Sequence, residues 1–521
     1  MTGGLIQLVA YGLQDLFLTR DPQITFFKVV YRRHTNFSME QVPQFFRSEL
    51  NFDNRASCVL STEGDLIGQV YIVIELPRIK QFYIDSETID PNTKFAWIRK
   101  IGHAMIKTID IEISGQLVDR HYGEWLNIWS ELLGSKDQDR GLDIMIGNVP
   151  ELTNFTNGKD PYTLYIPLQF WFCRNSGLAL PLVSLQYSEV KISVELNAAD
   201  QCYIITPTDY IDVYNDIVNF QPFEYIEQNV NGQIASGIFT SFDFLTRRLY
   251  YKKISRNNFQ SIQNNAVSVS EILNIIYPSN NSTISFKYFI VGQTTGVVAM
   301  PRFNSVSHPV SPPPSLSPVN ITNAFLLVEY IYLDQDERIR FVQTKHDYLI
   351  ETINYSGQQT IESTGRVITI DLVQPCKFMV WIVQQEYLLD TNNNDFFNYT
   401  DSYVYIENQQ IGKSLVKSET IKLNSQNRLT KRSYIYFNWI QPYQCFPHTV
   451  DEGINVYSFS IFPDKYQPSG SCNMSQIDFI QLDLTLQNII TNKNTVVVRT
   501  YGLEYNVLRV VNGVAGLVFT K

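Results

Sequence analysis

WFCRNSGLALPLVSLQYSEVKISVEL, residues 171–196, holds the pattern on which the fold turns. An aromatic strand and a cysteine lead through Asn175, Ser176 and Gly177 into an alternating run. Val190, Ile192, Val194 and Leu196 fall on one face of that run, and Lys191, Ser193 and Glu195 on the other. Period-two alternation of this kind marks a half-buried antiparallel strand. YSFSIFPDKYQPSGSCNMSQIDFIQLDLTL, residues 457–486, repeats the plan: aromatic strand, Pro and Gly turns, cysteine, then alternation at Ile480, Leu482, Leu484 and Leu486. QVYIVIELP near residue 73 and KFMVWIVQQ near residue 381 make a second such pair, each early in its half. Chance likeness between β segments competes with duplication, but two tandem β-sandwiches of about eight short strands each account for both echoes.

Composition agrees with a strand-rich chain. Of 521 residues, 44% are hydrophobic and 18% charged, enough for a large core and too apolar for wholesale disorder. Tyr, Phe and Trp make up 13%, which favours strands. The 41 basic against 51 acidic residues give a charge of −10, which disfavours a nucleic-acid coat, because phosphate binding needs excess Lys and Arg. No apolar run is long enough for a membrane-spanning helix, and the opening MTGGLIQLVAYGLQDLFLTR lacks the basic start and cleavage site of a signal peptide. Cysteines 58, 173, 202, 376, 445 and 472 form no C-x-x-C pair and are expected as reduced, mostly buried thiols. Eight N-x-S/T sequons, starting at Asn36, Asn154, Asn280, Asn281, Asn320, Asn354, Asn398 and Asn473, are expected by chance in an Asn-rich chain.

Helical period is brief. In HYGEWLNIWSELLG, residues 121–134, Trp125, Trp129, Leu132 and Leu133 form a stripe suited to a helix packed on a sheet, with Gly134 placed to end it. HDYLIETI, residues 346–353, is expected to be a short helical connector between two larger units. From about 201 to 320 the chain is rich in Asn, Ser, Tyr and Pro, and SVSHPVSPPPSLSP, residues 305–318, is expected as an exposed polyproline-like loop in an otherwise ordered insertion.

No catalytic constellation emerges. Asp390, Asn392, Asn394, Asn398 and Asp401 stand at positions 1, 3, 5, 9 and 12 of an EF-hand register, but Asp395 replaces the turn glycine and Asp401 the bidentate Glu. A polar surface loop is the expectation, with Asp390, Asn392, Asn394 and Asp401 only a weak metal candidate. Gly412-Lys413-Ser414 lacks the first glycine of a phosphate loop, since Glu407 stands there. Cys173 with His103 or His121 has the residue types of a thiolate pair, but no third group is oriented by the spacing. TRRLYYKK, residues 246–253, mixes cations and tyrosines as single-strand binders do, but in an acidic chain it is expected as a solvated strand face or subunit contact.

Three segments together carry a family likeness: YGLQDLFLTRDPQITFFKVVYRRHTNF (residues 11–37), FWFCRNSGLALPLVSLQYSEVKI (170–192) and YSFSIFPDKYQPSGSCNMSQIDF (457–479). With IEISGQLVDRHYGEWLNIW and FLLVEYIYLDQDERIRF as support, the chain resembles the major capsid proteins of nucleocytoplasmic large DNA viruses. The residues that match are Asp21, Pro22, Phe26 and Phe27, then Trp171, Phe172, Cys173, Arg174, Asn175 and Pro181, then Pro468, Ser469, Gly470, Cys472 and Asn473. The departure is the stretch from about 203 to 320, which is longer than in the smaller members.

The resemblance implies an all-β chain: two tandem eight-stranded antiparallel jelly rolls, a double jelly roll, with a long loop insertion in the first and a few short helices. It implies an N-terminal arm (1–23) at the capsomer base and a first jelly roll (24–345). Residues 203–320 would form an exposed insertion between its strands H and I, and a connector and second jelly roll would follow (346–521). The implied function is structural and not enzymatic, with no cofactor: homotrimers forming pseudo-hexagonal capsomers that tile an icosahedral shell, assembled in the host cytoplasm. Implied partners are the chain itself, neighbouring capsomers, minor capsid and penton proteins and a nearby internal membrane, with no direct nucleic acid. The alternative from a different class is a calcium-dependent carbohydrate-binding β-sandwich protein, aromatic-rich and acidic in the same way.

Overall fold

The computed structural model describes residues 34–519 apart from 86, 135–137, 263–287, 312–315, 317, 391, 392, 403, 404, 407, 408, 411 and 493, together with isolated positions before 34. Eight strands build a first barrel: β1 (Phe37–Phe45), β2 (Arg55–Val59), β3 (Leu66–Leu76), β4 (Ile106–Ile113), β5 (Gln116–His121), β6 (Tyr162–Pro167), β7 (Val190–Leu196) and β8 (Asn323–Leu333). They pair as two antiparallel sheets, β1-β8-β3-β6 and β2-β7-β4-β5. A second set follows: β9 (His346–Ile361), β10 (Gly365–Ile370), β11 (Pro375–Gln385), β12 (Val416–Leu423), β13 (Gln426–Asn427), β14 (Ile454–Ser458), β15 (Ile480–Leu486) and β16 (Val496–Val511). Their sheets are β9-β16-β11-β14 and β10-β15-β12-β13. Strand for strand this is the same order, and two packed sheets so connected are a jelly roll. The echoes in the sequence fall on equivalent strands: β3 with β11, and β7 with β15.

Each core forms where inward residues of the two sheets meet. In the first barrel Val70, Ile72 and Ile74 of β3 and Leu326, Val328 and Tyr330 of β8 face Ile109, Ile111, Ile192 and Val194. In the second, Met379, Trp381 and Val383 of β11 face Ile421, Leu482 and Leu484. Each such side chain, fully buried, contributes about 1.5–3 kcal/mol.

Residues 197–322 lie between β7 and β8. They hold a seven-stranded sheet whose middle strands are Tyr225–Val230, Gln233–Asp243 and Arg248–Lys253. Ile211, Phe239, Leu249, Tyr251, Phe259 and Ile290 give this sheet its own core. It is anchored on loops of the first barrel. Strand Tyr203–Thr206 pairs with Lys94–Trp97, Phe223 stacks on Phe155 at 4.8 Å, and Ser241 Oγ donates to Asn92 Oδ1 at 2.8 Å.

Several local expectations differ from the structure. Trp171–Arg174 is a helical turn, not an aromatic strand. Phe170, extended at the N-cap, and Trp171 and Phe172 in the turn are all buried, whereas successive side chains of a half-buried strand would alternate between core and solvent. His346–Ile361 is strand β9, paired along its length with β16; the helix lies one segment earlier, at Gln335–Gln343, capped by Asp334, whose carboxylate accepts the Glu337 N–H. Arg248–Lys253 is not a solvated face: Leu249, Tyr251 and Lys252 are buried, because this strand is central in the insertion sheet. In the insertion, expected to be ordered, Ile290–Gly292 is a strand, and residues 263–287 lie outside the described residues. Within the proline-rich tract His308–Pro309 is an edge strand, and 312–315 and 317 lie outside the described residues.

One carboxyl is sealed inside the second core. Glu419 of β12 is wholly buried and accepts the Trp381 indole N–H at 2.7 Å through Oε2. Burial pushes its pKa up from 4.5 to about 8. An acid whose folded pKa is raised is held protonated by the fold, so its contribution is greatest below pH 4.5 and is lost as pH rises through about 8. Glu419→Gln keeps an acceptor for Trp381 and removes the titration. It is expected to raise the thermal midpoint at pH 9 relative to the parent and to flatten the decline between pH 5 and 9, as followed by circular dichroism.

Candidate functional site

The structural centre of this chain is a seam. Helix α1 (Gly123–Leu133) leaves β5 directly, and Leu126 on it enters the first barrel's core. Trp125, Ile128 and Leu132 turn the other way and pack on Phe378, Val380, Ile382, Ile454, Val456, Tyr501 and Leu503. These are the outward residues of the sheet β9-β16-β11-β14. The apolar stripe read from sequence therefore does cover a sheet, but that of the second barrel. The Trp125 ring lies 5.6 Å from Tyr501 and 6.4 Å from Phe378. Gly123 permits the close start: a Cβ there would stand 2.0 Å from the His103 carbonyl oxygen and 2.5 Å from that of Ile106.

Ionic contacts lock the helix in register. Glu124 accepts Arg499 Nε at 2.8 Å and Nη2 at 2.7 Å, and the Tyr501 hydroxyl at 2.6 Å; Arg499 also donates to Gln384. Burial and the Glu124 carboxylate push the Tyr501 phenol well up, so it remains a donor. A second cluster joins Arg174, whose Nη1 donates to Glu351 Oε2 at 2.8 Å, with Lys377, which donates to the other Glu351 oxygen and, at 2.8 Å, to the Lys465 carbonyl. Burial draws the Lys377 pKa down, opposed by Glu351. The Arg174 guanidinium also sits 4.4 Å over the Trp129 ring. Asp119, hydrogen-bonded to His121 at 2.9 Å, accepts the Ile353 N–H of β9 at 2.9 Å.

The family-motif residues divide by place. Trp171, Arg174 and Asn175 line a cleft of about 390 Å3 whose far wall is Pro463, Asp464, Lys465 and Tyr466, so the second and third motif segments meet across the seam. Phe172 is core, Pro181 is buried, and the Asn175 carboxamide caps the next turn by accepting from Gly177 N–H. Pro468, Ser469 and Gly470 close the same loop, with Ser469 Oγ accepting the Phe462 N–H at 2.9 Å. Cys472 and Asn473 pair with Cys376 and Pro375 at the start of β11. Asp21 is exposed, and Pro22, Phe26 and Phe27 lie outside the described residues, as does most of the expected N-terminal arm.

The thiolate reading fails on electrostatics. Cys173 and His103 line one cavity, but burial lifts the Cys173 thiol to about 12 and, with Lys100, lowers His103 to about 3, so both are neutral. The Asn-rich loop is also not a surface loop, since Asn393, Asn394, Asn398 and Thr400 are buried. Asn394 Nδ2 donates to the Asp200 and Tyr203 carbonyls, and Asn393 Nδ2 to those of Ile254 and Tyr387. Amide donors thus pin the second barrel to the insertion and its root. Asp390 and Asp401 are exposed, Asn392 lies outside the described residues, and no group of three His, Cys, Asp or Glu is placed to hold a metal among the described residues.

Glu124 and Arg499 were not singled out from sequence. A charged residue in the first turn of an amphipathic helix is the ordinary pattern, and only the fold shows that its partner lies 375 positions away.

Two barrels of one topology, fused side by side through a helix, define a double jelly-roll protein. The N-terminal part, residues 25–226, matches the model of the major capsid protein N-terminus, and residues 337–516 match that of the large eukaryotic DNA virus major capsid protein. Probable capsid protein 4 of Acanthamoeba polyphaga mimivirus is 44% identical over 528 residues, covering 100% of this chain and 99% of its own length. The major capsid protein of Pyramimonas orientalis virus is 32% identical over 547 residues, covering all of both chains. In fold, the Faustovirus major capsid protein superposes with a TM-score of 0.65 at 11% identity, covering 96% of this chain and 94% of its own. A chain of the PBCV-1 virus capsid does so at 0.60 and 21%, covering 95% and 100%. The chain belongs to the major capsid proteins of nucleocytoplasmic large DNA viruses. It is a structural component of the virion capsid and not an enzyme.

The seam makes a stability prediction. Glu124→Gln leaves the buried Arg499 guanidinium without its counter-charge and is expected to destabilise the fold by about 3–5 kcal/mol in chemical denaturation. The double change Glu124→Leu with Arg499→Met should lose less than the sum of the two single changes, since no charge is then stranded.

Proposed function

We propose that this capsid protein works as a homotrimer, three double barrels forming one pseudo-hexagonal capsomer that tiles an icosahedral shell. The observation that carries the reading is the equivalence of the two barrels: three chains supply six like lobes, so near-sixfold packing needs only threefold symmetry. We assign residues 1–23 to an arm at the capsomer base, 24–345 to the first jelly roll, and 346–521 to a connector and the second. The 203–320 insertion, between strands H (β7) and I (β8), becomes an exposed tower on the outer side. Its support is contact with the segments that join β3 to β4, β5 to β6 and β11 to β12, since Asn92, Phe155, Asn393 and Asn394 all touch the insertion or its root. Neighbouring capsomers, minor capsid and penton proteins and an internal membrane are the expected partners, with assembly in the host cytoplasm and no direct contact to nucleic acid.

Light scattering of the purified chain is expected to give three times 60.2 kDa, and a mass of 60.2 kDa in native buffer would contradict the trimer. Limited proteolysis of the assembled particle is expected to cut first within 203–320; first cuts in either barrel, with the insertion intact, would contradict the tower.

A further inference from the structure

The two barrels are equivalent in topology but not in what covers them. The outward face of β9-β16-β11-β14 lies under α1, and β11 and β16 are accordingly buried on both sides along most of their length. Among the described residues the equivalent face, that of β1-β8-β3-β6, is largely exposed or half-buried, although Val73 on it is buried. Met39 is 57% and Phe45 65% exposed, Phe37 and Tyr165 are exposed too, and Phe325, Leu327 and Ile331 are half-buried between them. Register puts these on one side: Met39 opposite Ile331, Pro43 opposite Leu327, and Phe45 opposite Phe325 with ring centroids 5.8 Å apart.

The second barrel also has its counterpart of α1. Between β13 and β14, where α1 stands between β5 and β6, the chain makes the helical segment Tyr436–Ile440 and then α2 (Gln441–Cys445). Phe437 enters its own barrel's core, as Leu126 does in the first. The other side is bare: Ile435 and Ile440 are exposed and Tyr443 is 81% exposed.

We propose that segment 435–445 of one copy docks on the outward face of β1-β8-β3-β6 of the next copy. The contact between chains then repeats the contact within the chain. Such a head-to-tail contact closes into a ring when the rotation permits, and three chains with this rotation give six equivalent seams. Charge supports a second copy as the occupant. Within the chain, Glu124 on the helix meets Arg499 on the sheet; between chains, exposed Arg432 at the root of the helical segment would meet half-buried Glu329 in the middle of the sheet face. Addition of a strand along β1 is disfavoured, because Pro43 removes an edge N–H.

The inference rests on the homotrimer reading, and the test separates them. Phe45→Asp spoils the sheet face and Tyr443→Asp the helical face. Each variant, folded by circular dichroism, is expected at 60.2 kDa where the parent is at three times that mass. Mixed, they retain one intact helical face and one intact sheet face between them, so a species of twice 60.2 kDa should form that neither makes alone. A folded variant that stays trimeric leaves the face to another occupant and overturns the assignment, as does a mixture of folded monomers that stays at 60.2 kDa. A parent chain at 60.2 kDa would instead sink the trimer itself. Should either aspartate variant fail to fold, Arg432→Glu and Glu329→Arg decide: each alone is expected to lose the trimer and the pair to restore it, and no restoration overturns the pairing.

Discussion

A sheet with two apolar faces must be covered twice, and in this chain the second cover comes from the other barrel. Inside the second sandwich, β11 is sealed by β12 and β15; outside, it is sealed by Trp125, Ile128 and Leu132 of α1. That contact sets the relative placement of the barrels together with the Arg174–Glu351 and Asp119–Ile353 contacts across the same seam. The Glu124–Arg499 pair adds direction more than energy, since removing two charges from water offsets most of their attraction. An apolar helix face could slide on an apolar sheet; a bidentate carboxylate–guanidinium contact with a tyrosine on the same oxygen permits one register.

Much of the fold was legible because most strands bury one face only. In β7 and β15 the buried residues alternate with lysine, glutamate, aspartate and glutamine, and the eye finds the period at once. β11 reads differently, with the unbroken apolar run FMVWIV at its centre (residues 378–383), and such a run marks burial on both sides without saying by what. The elements misread have equally local causes. In β9, Leu349, Ile350 and Ile353 carry helical spacing, and no alternation reveals the strand because consecutive residues, Ile350 and Glu351, are both buried. The turn at Trp171–Arg174 was hidden by its aromatics, which favour strands in composition but here serve as three consecutive plugs.

The Asn-rich loop shows a harder limit. Aspartates and asparagines at alternate positions suit a cation because their oxygens converge, yet the same carboxamides suit a buried crossing where backbone carbonyls need donors. Which use applies depends on what the rest of the chain brings. Here it brings the carbonyls of Asp200 and Tyr203, 194 and 191 positions away, so the amide nitrogens do the binding. Spacing within the loop contains no trace of those partners. The seam residues Glu124 and Arg499 were illegible for the same reason: each looks like an ordinary surface charge until the two barrels are set side by side.

The proposed seam between chains differs chemically from the seam within the chain, and the difference suits a shell. The seam within the chain is closed at high effective concentration as soon as both barrels fold, so it can carry buried ion pairs that demand fixed geometry. A seam between chains forms at the concentration of free subunits, and each encounter must be able to fail. A mainly apolar patch on β1 and β8 with the half-buried Glu329 at its centre meets that need: the apolar area supplies the attraction, the carboxylate selects a partner carrying a cation, and no fully buried ion is stranded in the separated state. The sparse ionic content of the open face, against the Arg499, Glu124, Lys377 and Glu351 clusters of the closed one, suits the proposed contact between chains, which would have to be made late and reversibly.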